Sequence, residues 1–271
     1  MPDEPAYVLG HSAAELRRLE SQAAVMDPLT RRFLVEAGID RGMRVLDVGS
    51  GAGDVAMLAA DLVEPDGDVL GFDRSAPAIE VARERAATRS LHNVRFVAGS
   101  LDGLDVEGQF DAAIGRYVLQ FQPDPAAMLA QVAARVRPGG LVVFHELDWS
   151  GVSSDPPAPT YERLSGWLQR AIGASGASLH MGLALPKVFA NAGLRDPQLR
   201  LEQRIGVGDS AGEVLQRMAQ LAETMAPSLS EIGIGPAELD VETLFERMRV
   251  EVVANHSLVR SHLQVGAWTR T

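Results

Sequence analysis

The chain has 271 residues, of which 46% are hydrophobic and 23% charged, with no cysteine and a formal net charge of −11. That length suits one large α/β domain with insertions, or a domain plus a cap, and the lack of cysteine excludes disulfides, thiolate nucleophiles and cysteine-ligated zinc. The acidic balance, with no basic run longer than a pair such as Arg17-Arg18, argues against DNA or RNA and for a small molecule as partner.

"MPDEPAYVLGHS" at the N-terminus has no basic start followed by an apolar run. No later stretch approaches the roughly 18 uninterrupted apolar residues of a membrane span. The expectation is a cytoplasmic protein without a membrane partner.

A helical pattern runs from Ser12 to Gly38 and is assigned, as residues 1–40, to a cap segment. Strand-like runs follow at Arg44–Val48, Asp68–Phe72, Val94–Val97, Phe110–Ile114 and Leu141–Leu147. Helical patterns separate them at Asp54–Val63, Ala76–Thr88 and Pro125–Arg137, the last stopped by "RPGG". Such alternation predicts a doubly wound, mostly parallel sheet with helices on both faces and ligand at the carboxyl ends of its strands. Residues 41–148 form this core. In 149–271 the rhythm changes: cap helices (about 155–180 and 210–254) are inserted around a strand at "PQLRLEQRIGVG" and a final strand at "SLVRSHLQVGAWTR". The Met218, Leu221, Met225 spacing is first a buried helical face, and only second the wall of an apolar pocket.

"RVLDVGSGAGD" joins the first strand to a helix through a glycine turn. Without a Gly-Lys-Ser/Thr it is not a P-loop. A dinucleotide turn wants a third glycine where this chain has Asp54, which disfavours an NAD-dependent oxidoreductase. The remaining reading is a nucleoside site without a phosphate clamp. Backbone N–H groups at Gly49, Ser50 and Gly51 can hold a methionine-type carboxylate. Asp47 can order the loop or be a plain strand-end carboxylate. Asp73, about 20 residues past the turn, can accept both ribose hydroxyls, with Arg74 next to it. Ser100, Leu101 and Asp102, after the third strand, fall beside the adenine.

Four segments in order, "VLDVGSGAGD", "GFDRS", "FDAAIGRYVLQFQPDP" and "RVRPGGLVVFHELD", resemble the motifs of class I S-adenosylmethionine-dependent methyltransferases, in particular the UbiE-like small-molecule branch. The resemblance spans Asp40 to Asp148. It implies a seven-stranded Rossmann-like methyltransferase fold with an antiparallel last strand and S-adenosyl-L-methionine as cofactor, released as S-adenosyl-L-homocysteine. Gly115 and Arg116 then fall at the methionine end, with Tyr117 near the transferring methyl or packed against the cap. Many relatives carry Asp where this chain has Ser100. Gln22 could reach the cofactor from the first helix.

His145, Glu146 and Asp148 suggest a metal cluster by residue type. Strand alternation turns His145 away from the other two, so no metal is expected. His145 or Glu146 could instead serve as general base, or be a satisfied structural group. Asp148, Trp149 and His180 are candidates to touch the acceptor. The reading is methyl transfer to oxygen, nitrogen or carbon of a small molecule, with secondary metabolism as one setting. A non-methylating S-adenosylmethionine-binding relative and a binding module without chemistry are the alternatives. The acceptor is outside the sequence's reach, and a homodimer is left open.

Overall fold

In the computed structural model of the chain, residues 26–103 and 108–271 are described. They divide into two compact units. One contains the described residues up to Glu146, together with Gly182–Arg200 and Val265–Thr271; the other contains Leu147–Met181 and Leu201–Gln264.

The first unit opens with a helix, α1, at residues 26–37. Gly38 ends it at φ +99°, letting the Ile39 N–H turn back to the Leu34 carbonyl at 3.0 Å. The chain then alternates through β1 (Arg44–Val48), α2 (Asp54–Val63), β2 (Asp68–Asp73), α3 (Ala76–Thr88), β3 (Val94–Ala98), β4 (Phe110–Arg116), α4 (Pro125–Ala133) and β5 (Val136–Asp148). Helix starts are marked as the chemistry of side-chain caps requires: Ser75 accepts from the Ala78 N–H and Asp124 from the Ala127 N–H, each followed by a proline in the first turn.

Hydrogen bonding orders the strands β3-β2-β1-β4-β5, all parallel. This is the doubly wound order, which turns at β1 and β4 and leaves a crevice there. Their alternating apolar side chains meet α1, α2 and α3 in one core containing Leu34, Val45, Met57, Ile79, Phe96, Ile114 and Trp268. Residues 26–37, assigned from sequence to a cap, therefore contribute to the sheet's own core.

The largest departures from the expected boundaries lie around β5. α4 stops at Ala133, and "RPGG" is drawn into β5, which bulges between the Phe110↔Val136 and Ala112↔Leu141 pairs. Gly139 at φ +75° permits this, and the Gly139 N–H and Gly140 carbonyl pair with Thr271 at 3.1 and 3.0 Å. A three-residue strand, β6 (Ser153–Asp155), brings the sheet to eight strands instead of seven.

The second unit holds α5 (Pro159–Ala174), while α6 (Met181–Asn191) falls almost wholly in the first. Next come β7 (Gln198–Val207), α7 (Gly212–Thr224), α8 (Ala226–Glu231), α9 (Pro236–Leu239), α10 (Val241–Ala254) and β8 (Leu258–Arg270). β8 runs antiparallel to β6 and also pairs with β7. The single helix expected over Pro236–Val253 is broken at Asp240, whose left-handed φ of +43° no helix interior allows. Met218 and Met225 are buried with Tyr161, Leu215 and Met248 in this unit's core, the packing role their spacing predicts first.

Candidate cofactor site and its neighbours

The glycine turn at the end of β1 uses the left-handed region at Gly49 (φ +64°), Gly51 (φ +51°) and Gly53 (φ +87°). A Cβ on Gly49 would meet Val118 at 2.8 Å, and one on Gly53 would meet Phe96 at 2.8 Å. These two glycines seat the turn against the protein. At Gly51 a Cβ would meet nothing within 4 Å, so this residue faces open space. Only the backbone conformation demands glycine there.

Asp73, at the end of β2, ties the turn to the next strand. Its Oδ2 accepts the Gly51 N–H at 2.9 Å and its Oδ1 the Ser75 N–H at 2.8 Å. A carboxylate oxygen has lone-pair capacity for more than one donor. Asp47 lies beneath the turn, 1% exposed, and burial pushes its carboxyl up to about 8 against the pull of Arg116 and the Ala56 N–H. Among the described residues Asp47 Oδ2 and Ser50 Oγ are buried without a hydrogen-bond partner.

Beyond β3, Leu101 is buried, whereas Ser100 and Asp102 are exposed, as is Arg74 after β2. The Leu101 carbonyl accepts from Arg135 at 3.1 Å, which fixes that loop. Gly115 cannot take a side chain, because a Cβ would meet Phe144 at 2.6 Å. Gln22 lies outside the described residues.

Arg116 stands at the centre of a charged row. Its Nη1 donates to Asp27 Oδ1 and Thr30 Oγ1, both at 3.0 Å, and its Nη2 is 3.9 Å from Asp54 Oδ2. Asp54 Oδ1 in turn accepts from Arg85 at 2.6 Å. The Asp54 that spoils a dinucleotide turn is thus neutralised from two sides. Asp27, Thr30 and Arg85 were missed from sequence. The one available signal was that a carboxylate at the start of α2 needs cations, and Arg85 lies on the next helix, α3.

Tyr117 follows β4 at φ +58°, a strained conformation for a tyrosine. Its N–H donates to the His145 carbonyl at 2.9 Å, and its hydroxyl to Met26 Sδ at 3.1 Å. The turn points the Val118 and Leu119 N–H groups at Glu146 Oε1, at 2.9 and 2.7 Å. Glu146 is fully buried, and burial pushes its carboxyl up to about 8 despite these donors and Gln120. His145 projects to the other face, as alternation requires. It is 2% exposed, lies 3.2 Å from Thr30 Oγ1, and packs edge-on to Phe33 with ring centroids 4.9 Å apart. The structure does not bring His145 and Glu146 to one point.

In the second unit, Asp148 is fully buried and its Oδ1 accepts from the Ser150 N–H (3.0 Å) and Ser150 Oγ (2.6 Å). His180 Nδ1 lies 3.3 Å from the same oxygen, with the imidazole 62% exposed. Trp149 is buried edge-on to His262 at 4.1 Å.

The open face at Gly51, the Asp73 carboxylate beside it and the two orphaned polar atoms beneath fit the amino-acid and ribose parts of S-adenosylmethionine. Comparison with known proteins points to the same cofactor. A demethylmenaquinone methyltransferase of Staphylococcus aureus is 31% identical over 135 residues, covering 49% of this chain and 53% of that protein. The chain thus matches only about half the length of such curated relatives. Among solved structures, the YcgJ protein of Bacillus subtilis superposes with TM-score 0.55 at 19% identity, covering 89% of this chain and 98% of that one. The 4+2 cyclase SpnF superposes at 0.54 with 20% identity, covering 90% and 81%. These two likenesses are of fold. The model of the methyltransferase domain family matches residues 39–174, and the chain belongs to that family, on the fold of class I S-adenosylmethionine-dependent methyltransferases.

Proposed function

We propose that the protein transfers the methyl group of S-adenosylmethionine to a small-molecule acceptor. The observation that carries this reading is the turn at Gly51, open above its backbone and tied by its N–H to the Asp73 carboxylate 2.9 Å away. Gly49, Ser50 and Gly51 would hold the amino-acid end, Asp73 the ribose, and Leu101 with its neighbours Ser100 and Asp102 the adenine. When bound, the cofactor supplies an electrophilic methyl on a sulfonium centre.

The protein's own residues then have three tasks: to align a nucleophile, exclude water and remove a proton where the nucleophile carries one. Asp27, Arg116 and Asp54 hold α1 to the glycine turn and so brace the methionine end. Glu146 acts as a positioning residue, fixing the strained Tyr117 turn through the Val118 and Leu119 N–H groups. His145 supports α1 from below. Tyr117 is left half-buried to meet the acceptor.

The test is incubation with methyl-labelled S-adenosylmethionine and a panel of phenols, amines and stabilised carbanions. Label in an acceptor together with S-adenosylhomocysteine is the expected result. Tight cofactor binding with an acceptor changed but unlabelled would overturn methyl transfer and favour the non-methylating reading.

A further inference from the structure

β7 is a ten-residue strand whose partner among the described residues is β8. Side chains alternate along a strand, and on one face of β7 stand Leu199, Leu201, Ile205 and Val207, exposed by 49, 51, 59 and 46%. Soluble proteins usually blunt such an edge with charge, proline or a covering segment. Here the same face instead carries a run of aliphatic side chains. The Arg204 N–H is directed to Ser261 Oγ on β8 at 3.3 Å. Even-numbered peptide groups therefore face β8, and those of Leu201, Gln203 and Ile205 face the opposite edge, since a strand's peptide groups alternate sides.

We propose that two copies of this chain associate through β7, running antiparallel about a twofold axis at Gln203. Symmetric pairing of identical strands has few registers, and charge selects among them. An axis at Glu202 would set Glu202 against the partner subunit's Glu202, and Arg200 against the partner subunit's Arg204. An axis at Gln203 sets Glu202 opposite the partner subunit's Arg204, and by symmetry does so twice. It also sets Leu201 opposite the partner subunit's Ile205 and Leu199 opposite the partner subunit's Val207. Opposite charges and apolar pairs in directly facing positions stabilise a ladder, while like charges there destabilise it. An axis at Leu201 would also pair opposite charges, Arg200 with the partner subunit's Glu202, but it sets Leu199 against the partner subunit's Gln203, so charged and apolar pairs together favour the axis at Gln203.

Two local features suit this role. Gln203 is anchored in its own subunit, its Nε2 donating to the Gly151 and Ser261 carbonyls at 2.9 and 2.8 Å, so the centre of the strand is held in place. Arg204 contacts Glu213 at 2.7 Å in a surface pair exposed on both sides. Such a pair is weak enough to share its cation with a second carboxylate. A homodimer formed by one self-complementary surface is the commonest soluble assembly.

Sedimentation velocity of the full chain tests the proposal. The wild type is expected to be a dimer at about 100 μM, a concentration at which even a modest edge contact is populated. Ile205→Lys places a charge at an exposed position and should give a monomer with an unchanged circular-dichroism melt. Glu202→Arg and Arg204→Glu, each of which reverses two facing pairs, should each weaken association about tenfold or more. The double variant Glu202→Arg/Arg204→Glu restores opposite charges and should recover the dimer. A monomeric wild type, a dimer indifferent to Ile205→Lys, or a double variant no better than the singles would overturn the assignment.

Discussion

Glu146 offers the sharpest separation between a catalytic base and a positioning residue. Its Oε1 accepts two backbone N–H groups, while its Oε2 is buried without a partner among the described residues. Burial raises the carboxyl from its ordinary 4.5 to about 8. A carboxyl raised on folding stabilises the native state fully below its unfolded value, and that contribution is lost as pH rises from 4.5 towards 8. At about 1.4 kcal/mol per pH unit, the loss reaches about 3 kcal/mol by pH 7. Glu146→Gln keeps an oxygen for the Val118 and Leu119 donors and removes the titration. Relative to wild type, its stability should therefore climb by about 3 kcal/mol between pH 4.5 and pH 7. Urea unfolding of both proteins at half-unit pH steps measures this directly. Turnover of the glutamine variant should stay within about tenfold of wild type, because a lost general base typically costs 10²–10⁴. Glu146→Ala strands two buried donors and should cost about 2–6 kcal/mol of stability, at 1–3 for each. A stability difference between glutamine and wild type that does not change with pH would refute the argument. A hundredfold fall in turnover would show Glu146 to be the base.

Asp73→Ala removes the acceptor that anchors the Gly51 N–H and is proposed to hold the ribose. It should weaken S-adenosylmethionine binding by about 1.5–3 kcal/mol, the range for hydrogen bonds to a charged group, as read by calorimetry. Arg116→Met leaves Asp27 and Asp54 facing each other without their shared cation, and the unfolding free energy should fall by about 3 kcal/mol at pH 7. The deficit should shrink on acidification as the Asp27 carboxyl, raised by burial, takes up its proton, which urea titrations at pH 4 and 7 would show.

Much of the core was legible because it is local. β1, α2 and α3 have the bounds their hydrophobic periods predict, since a buried parallel strand reads as a short apolar run and a covering helix as a stripe. Asp73 could be placed near the glycine turn because topology sets two consecutive parallel strand ends side by side, whereas its bond to the Gly51 N–H was not read. What could not be read depends on tertiary encounters. Alternation said that His145 and Glu146 diverge, but not that one meets Thr30 and Phe33 while the other meets the turn at Val118. The Asp27–Arg116–Asp54–Arg85 row joins four separate segments, which no spacing rule connects. The left-handed break at Asp240 and the three residues of β6 leave no periodic trace.

The central claim is that S-adenosylmethionine lies on the turn at Gly51, and calorimetric titration of the cofactor into wild type and Gly51→Val tests it most directly. Valine at φ +51° strains the backbone by about 1–3 kcal/mol, but its Cβ would meet nothing within 4 Å beyond its chain neighbours, so the variant should stay folded by circular dichroism. The account predicts saturable binding to wild type and none to the folded variant. Binding of equal affinity in both, or absent from both, would contradict it.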